Sequence, residues 1–367
     1  MKKNLYCNKF TFLIGGNKII MSKILITGGA GFIGSHAAEY FSKNGYDVVV
    51  FDNLSRSKLL GKNDRNTMFN WNYLKSLKKI KLVKGDVRSF ESLKRAASDA
   101  EIIIHAAAQT AVTTSVVNPE PDFSVNAAGT FNVLEVARRL KKRPSIVYCS
   151  TNKVYGHNVN KIKVFEEKTR YRFDDKYKFG IPESFSIDLC EHTPYGCSKL
   201  AGDIYMQDFS HQYELKIGVF RMSCIYGTRQ FGVEDQGWVS WFAIATMMNN
   251  PIRIYGDGKQ VRDVLFVTDL IRAYEAFLKS DIQCGVFNTG GGYTKTLSLL
   301  ELLDILEETT GKRSLLEFGD WRPSDQKVYI SDISKARREL GWKPEIEPKK
   351  GVLKLVEWVK ENKKIFS

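Results

Sequence analysis

The chain has 367 residues, 43% hydrophobic and 26% charged, with a formal net charge of +14. That length suits about two domains, the composition is that of a folded globular chain, and no apolar run approaches the ~20 residues of a membrane span. The positive charge does not by itself indicate nucleic acid: the first 21 residues carry four lysines and no acid, the remainder is thinly spread, and no recognition motif is present.

In chain order, residues 1–21 come first. They are basic, with a short apolar patch from Phe10 to Gly16, no small-residue cleavage site and a second methionine, Met21, directly before a strand. They read as an extension outside the core rather than a signal peptide. Short apolar runs follow: "KILIT" (23–27), "DVVVFD" (47–52), "IKLV" (80–83), "EIIIH" (101–105), "SIVYCS" (145–150) and "KIGVFR" (216–221). Their continuous apolar character predicts strands buried on both faces, hence a parallel sheet. Helical patterns at Ile33–Asn44, Phe90–Ala97 and Phe123–Leu140 alternate with them. The class is therefore α/β, a doubly wound parallel sheet of the dinucleotide-binding Rossmann type, over 22–221. The polar, aromatic stretch 156–192 is too long for a plain connector and reads as an excursion to a substrate site. Helical stretches near 237–249, 268–279, 296–310 and 348–364, mixed with short strands, predict a smaller, discontinuous α/β substrate domain over 222–367.

The six cysteines (7, 149, 190, 197, 224 and 284) form no Cys-x-x-Cys pair. They suggest reduced thiols in a cytoplasmic enzyme, and no His/Cys/carboxylate spacing suggests a metal. The basic field favours anionic ligands such as dinucleotides and nucleotide-sugars; neither nucleic acid nor membrane is expected as a partner.

The first strand runs into "TGGAGFIG", where Gly28, Gly31 and Gly34 precede a helix. Gly28 permits the tight turn, Gly31 lets backbone approach a pyrophosphate, and Gly34 lets helix pack on strand. The helix N-terminus supplies free N–H groups to phosphate. Asp52 ends the second strand 18 residues after Gly34. There it would accept from a ribose 2′-hydroxyl and repel a 2′-phosphate, so the cofactor expected is NAD. "GDVR" would place Asp86 and Val87 beside the adenine, and the small Ala106, Ala107 and Ala108 of "HAAAQT" would let the cofactor lie against backbone.

"CSTNKVYG" (149–156) ends a strand with Thr151, Asn152 and Lys153, and "TPYGCSK" places Tyr195 and Lys199 one helical turn apart. On one helix face the ammonium can lower the phenol pKa, and the phenolate can take a proton from a sugar hydroxyl. The only other Tyr-x-x-x-Lys pair, Tyr255 and Lys259, encloses Gly256 and Gly258 and reads as a turn.

Together, TGGAGFIG, Asp52, Thr151-x-x-x-Tyr155-Gly156 and Tyr195-x-x-x-Lys199 resemble the extended short-chain dehydrogenase/reductase family, over residues 22–365. The resemblance implies NAD-bound enzymes acting on nucleotide-diphosphate sugars. Thr151 would bind the reacting hydroxyl, Tyr195 would be the acid/base, and Lys199 would hold the nicotinamide ribose. The cofactor set is completed by Phe32, Ile33, Asn53 and Asn126. Family dehydratases carry an Asp-Glu pair after the catalytic Ser/Thr; here Asn152 and Lys153 stand there, so dehydration is not expected. "STNKVYG", "HTPYGCSK", "RQFGVEDQGWVSWF" and "GDGKQVRDVL" are similar to the branch that epimerises C2 of CDP-linked sugars. That implies substrate contacts from Asn152, Lys153, Arg229, Gln230 and Gln236. Arg262 and Arg322 would meet the diphosphate, and Tyr255 the pyrimidine. Relatives pair through the helices around 112–140 and 194–212, implying a homodimer or homotetramer. A UDP-sugar 4-epimerase and a net oxidoreductase are the alternatives.

Overall fold

The computed structural model describes residues 22–56, 65–322 and 325–366; the extension at 1–21 lies outside them. Among the described residues the strands are β1 (Lys23–Thr27), β2 (Asp47–Asp52), β3 (Ile80–Lys84), β4 (Ile102–His105), β5 (Ser145–Thr151), β6 (Val164–Glu166), β7 (Tyr171–Phe173), β8 (Ile217–Met222), β9 (Cys224–Tyr226), β10 (Ile252–Tyr255), β11 (Val261–Phe266), β12 (Cys284–Thr289), β13 (Thr296–Ser298), β14 (Leu316–Gly319) and β15 (Val328–Tyr329). The helices used below are α1 (Phe32–Lys43), α2 (Arg65–Lys75), α3 (Phe90–Ala96), α4 (Val112–Val117), α5 (Gly129–Arg139), α6 (Thr193–Tyr213), α7 (Trp238–Met248), α8 (Val267–Lys279), α9 (Leu299–Thr310), α10 (Ser334–Leu340) and α11 (Pro348–Glu361).

Seven parallel strands form the central sheet in the order β12-β8-β5-β4-β1-β2-β3. Their β-branched and aromatic side chains divide between two apolar layers. Ile24, Ile26, Val48, Val50 and Phe220 face α1 and α8, through Phe41, Tyr274 and Phe277. Leu25, Val49, Ile103, Ile146 and Tyr148 face α3, α5 and α6, through Leu93, Val133, Leu134 and Met206. Burial on both faces is what continuous apolar strands require.

The chain leaves β1 toward β2 and β3 on one side, and takes up β4 and β5 on the other. The order therefore switches between β1 and β4, and ligands of such sheets bind outside the strand ends at that switch. In register, Thr27 lies beside Phe51 on one side and His105 on the other, while Thr151 lies beside Met222. These carboxyl ends form one edge.

The boundary expected at residue 221 does not divide the sheet. β12 returns to pair with β8, from Cys284↔Ile217 to Thr289↔Met222, and α8 covers one sheet face. The cause is chemical: "CGVFNT" is another continuous apolar run, and the sheet edge at β8 is where it becomes buried. The rest of the C-terminal chain builds its own core from α7, α9 and α11 around β11. Residues 156–192 are ordered against that second body, with Tyr171, Phe173 and Ile181 packed on Val261 and Tyr329.

The helix expected over 123–140 is two pieces: a π-helical stretch, Phe123–Ala128, runs into α5. The widened turn carries Asn126, whose buried amide accepts from Gln109 N (2.8 Å) and donates to Gln109 O (3.0 Å) and Ser198 Oγ (3.0 Å). Among the described residues, no helix is long and apolar enough to cross a membrane.

Candidate active site

One cavity of about 440 Å³ runs along the strand edge. Its nucleotide end is built by the β1–α1 turn. Gly28 has φ +66, and a Cβ there would meet the Ala107 backbone at 2.6 Å. A Cβ on Gly34 would meet Gly28 O at 2.2 Å, so that position holds helix against strand. Gly31 faces more open space, its nearest neighbour being Gly28 O at 3.1 Å. α1 has no side-chain cap and no acid in its first turn, so its leading N–H groups and dipole are available to an anion. At the end of β2, Asp52 accepts from Ala30 N (2.9 Å) and Leu54 N (2.8 Å); burial nonetheless raises its carboxyl pKa. A glycine-lined cradle, an open helix N-terminus and an Asp at the β2 end fit a dinucleotide with a free 2′-hydroxyl.

Gly28, Gly31, Phe32, Ile33, Gly34, Asp52, Asn53, Val87, Ala106, Ala107 and Ala108 all line this cavity. Three of the cofactor candidates, Asp86, Asn126 and Lys199, do not. Asp86 accepts from Asn53 Nδ2 (2.8 Å) and Arg88 Nη2 (2.7 Å), and the Arg88 bonds help hold its pKa at about 2; it orients Asn53. Asn126 braces the Gln109 loop against α6, as above, and its amide is fully engaged there.

The edge expected to be catalytic is the end of β5. Thr151 caps the 3₁₀ segment Asn152–Lys161: its Oγ1 accepts from Lys153 N (3.2 Å) and donates to Asn152 Oδ1 (3.3 Å). Thr151, Asn152, Lys153 and Tyr195 line the cavity together. Tyr195 is anchored by its own N–H, which donates to Ser115 Oγ (3.2 Å). Lys199 is 2% exposed, with Nζ 4.2 Å from the centroid of the Tyr148 ring. That contact lets a buried ammonium exchange water for an aromatic face.

The lowering of the phenol expected from the lysine is not what the structure gives. Burial raises Tyr195 to about 12, with the Thr151 hydroxyl pulling the other way. Burial also lowers Lys199 to about 8. The two shifts share a cause, since both charged forms have been taken out of water: at Lys199 burial outweighs the Cys149 and Asp203 charges, and at Tyr195 the Asp122 and Cys149 charges push the same way as burial.

The remaining candidates divide by position. Lys153 is pressed by burial and then by the Arg262 charge toward a lower pKa, with Asp325 opposing. Arg262 pairs with Asp325 at 2.7 Å. Arg322 stacks on Tyr255, 3.9 Å from guanidinium carbon to ring centroid, and pairs with Asp235 at 2.8 Å. Arg262, Arg322 and Tyr255 lie outside the cavity lining.

Arg229 touches the cavity, but its guanidinium turns away from it. That group pairs with Glu39 at 2.7 Å and lies 4.4 Å from the centroid of the Tyr73 ring, so it ties α1 and α2 to the following segment. Gln230 donates to Ile225 O (3.2 Å) and accepts from Ser240 Oγ, which fixes the start of α7. Gln236 accepts from Arg56 Nη2 (3.2 Å) and donates to Thr110 Oγ1.

The cavity also recruits Arg56, Gln109, Thr110, Cys224 and Trp238, none of which the sequence singled out. Arg56 lies four residues beyond Asp52, and that proximity to the carboxylate expected to meet the ribose was its one sequence signal. Among the described residues no cluster of His, Cys, Asp and Glu could hold a metal.

Comparison with known proteins agrees with this geometry. The family model described as GDP-mannose 4,6 dehydratase matches residues 25–355. The chain is 42% identical over 345 residues to the CDP-paratose 2-epimerase of Salmonella typhi, covering 92% of this chain and 98% of that protein. It is 31% identical over 352 residues to the UDP-glucuronate 4-epimerase of Thermodesulfobacterium geofontis, covering 93% and 97%. Among solved structures, UDP-glucuronic acid 4-epimerase from Bacillus cereus, in complex with UDP-glucuronic acid and NAD, matches with a TM-score of 0.76. Identity is 27%, over 93% of this chain and 99% of that one.

Proposed function

The chain belongs to the NAD-dependent epimerase/dehydratase family, the extended short-chain dehydrogenase/reductases, and from that premise we propose that it inverts C2 of a CDP-3,6-dideoxyhexose, converting CDP-paratose to CDP-tyvelose. The observation that carries this reading is the 42% identity to a CDP-paratose 2-epimerase across nearly the whole of both chains. The catalytic edge is compatible with it. Elimination needs an acid on the leaving hydroxyl and a base at the neighbouring carbon, and Asn152 and Lys153 replace carboxylates at the two positions after Thr151.

NAD, when bound, supplies reversible hydride exchange with the sugar carbon, so a stereocentre can invert without net redox change. Gly28, Gly31 and the N-terminus of α1 would hold its diphosphate and Asp52 its ribose. The protein's own work is proton transfer and orientation. Tyr195 Oη takes the proton of the sugar 2-hydroxyl and later returns it to the same oxygen. Thr151 Oγ1 hydrogen-bonds that oxygen and keeps it near Tyr195. Because burial holds the phenol near 12, forming the phenolate needs a neighbouring positive charge, and Lys199 is the cation one turn along α6. Asn152 and Lys153 contact the sugar. Arg262 and Arg322 take the substrate diphosphate, exchanging their present carboxylate partners for phosphate oxygens, and Tyr255 lies against the pyrimidine.

The test is NMR of the sugar after incubation with CDP-paratose, UDP-glucose and UDP-glucuronate in parallel. Inversion at C2 of the CDP-sugar is expected. Inversion at C4 of a UDP-sugar alone would replace this reading with the second one, which the UDP-sugar epimerases among the relatives favour.

Exposed apolar side chains gather on α4, α5 and α6 and the stretch between them: Val117 is 87% exposed, Phe123 69% and Ile204 49%. A second copy of the chain covers this face, in a homodimer or homotetramer. A monomer in sedimentation at micromolar concentration would exclude it.

A further inference from the structure

Residues 228–237, between β9 and α7, form a strap along one wall of the cavity, and contacts from the nucleotide-binding half hold it at intervals. His36 Nε2 meets Thr228 O at 2.8 Å. Glu39 pairs with Arg229 at 2.7 Å, and Asn70 Nδ2 donates to Arg229 O at 3.5 Å. Arg56 Nη2 then donates to Phe231 O at 2.8 Å and to Gln236 Oε1 at 3.2 Å. Gln236 Nε2 completes the row by donating to Thr110 Oγ1.

The first three contacts are anchors on α1 and α2. The last three differ in where they come from: Arg56 and Thr110 lie beyond strand ends rather than on α1 or α2, and with Phe231 and Gln236 they line the cavity, as Asn70 and Arg229 also do. Arg56 follows the β2 end, Thr110 follows the β4 end, and Gln236 reaches both. The bridge therefore spans the switch point at which a dinucleotide lies.

We propose that Arg56, Gln236 and Thr110 form a latch that closes the strap over bound NAD and retains it between turnovers. The chemistry gives the latch its purpose. Inversion is redox-neutral only if one cofactor molecule remains through both hydride transfers, since early loss would strand an oxidised sugar. An arginine suits the task because Nη2 carries two N–H donors, which here reach a backbone carbonyl and a side-chain amide oxygen together.

The test loads the protein with radiolabelled NAD and follows release into excess unlabelled NAD by filter retention. Arg56→Ala removes two charge-assisted hydrogen bonds and should release label at least about tenfold faster. Thr110→Val keeps side-chain shape and should release it a few-fold faster, and Arg56→Lys should partly restore retention. The melting temperature of the NAD-free protein should not fall in step. Wild-type release from both Arg56→Ala and Thr110→Val would overturn the latch, as would faster release that only tracks a lower melting temperature. Retention is read without any sugar, so the outcome is independent of whether CDP-paratose is the substrate.

Discussion

Lys199 is a cation whose charge is costly to keep where it sits. Burial brings its pKa from 10.5 to about 8, so between those values the unfolded chain holds the proton that the folded chain has released. Stability contributed at this site therefore rises with pH across that window: the burial cost is present below about 8 and gone above 10.5. Relative to Lys199→Met, the wild-type protein should gain on the order of 3 kcal/mol over that range. Urea midpoints of both proteins at the two ends measure it, and a constant difference would show that the ammonium is not desolvated. The placement of Thr151 at a strand end and of Tyr195 and Lys199 one turn apart on a helix was legible in sequence, because a strand end and a helical spacing of four are local patterns. The sense of the tyrosine shift was not, since it depends on how much water the folded site excludes. Arg56 was illegible for a related reason. Its partners Phe231 and Gln236 lie 175 and 180 residues away, and no local pattern joins them.

At the scale of elements, α6 carries Tyr195 and Lys199, the pair proposed for catalysis, and that role needs α6 held to the sheet at a fixed height. A buried ion pair contributes to that. Asp203 on α6 accepts from Arg221 Nε (3.0 Å) and Nη2 (3.1 Å) and from Ser150 Oγ (2.7 Å), joining α6 to β8 and β5 beside Thr151. The side chains of Arg221 and Asp203 are 6% and 0% exposed. Asp203→Asn would leave the guanidinium charge without its counter-ion and should cost about 3–5 kcal/mol of stability. A denaturant midpoint reads this directly, and a change under about 1 kcal/mol would mean that the pair is solvated like a surface salt bridge. Strands β1 to β5 and β8 were readable because continuous apolar runs have one stable home, a sheet covered on both faces. β12 escaped the first-domain assignment because strand partners are set by topology, and 61 residues separate it from the end of β8. The π-helical stretch at Phe123–Ala128 escaped too: its sequence has ordinary helical spacing, and the widened turn follows from the inward pull on Asn126.

For the whole molecule, two bodies share one cavity. The sheet supplies the glycine cradle, the Asp52 carboxylate and the β5 edge proposed for catalysis. The C-terminal chain supplies the strap and the arginines proposed for the nucleotide end. This assembly is proposed to invert C2 by oxidation and re-reduction at that same carbon. The most direct measurement uses CDP-paratose deuterated at C2, in ordinary water, with the NAD-loaded protein and its Tyr195→Phe variant in parallel. The wild-type protein should yield CDP-tyvelose that keeps the deuterium at C2. The variant should keep its NAD and slow conversion by about 10²–10⁴-fold, the usual contribution of a positioned acid/base. Loss of deuterium to solvent, or no conversion at C2 with the NAD site filled, would contradict the account.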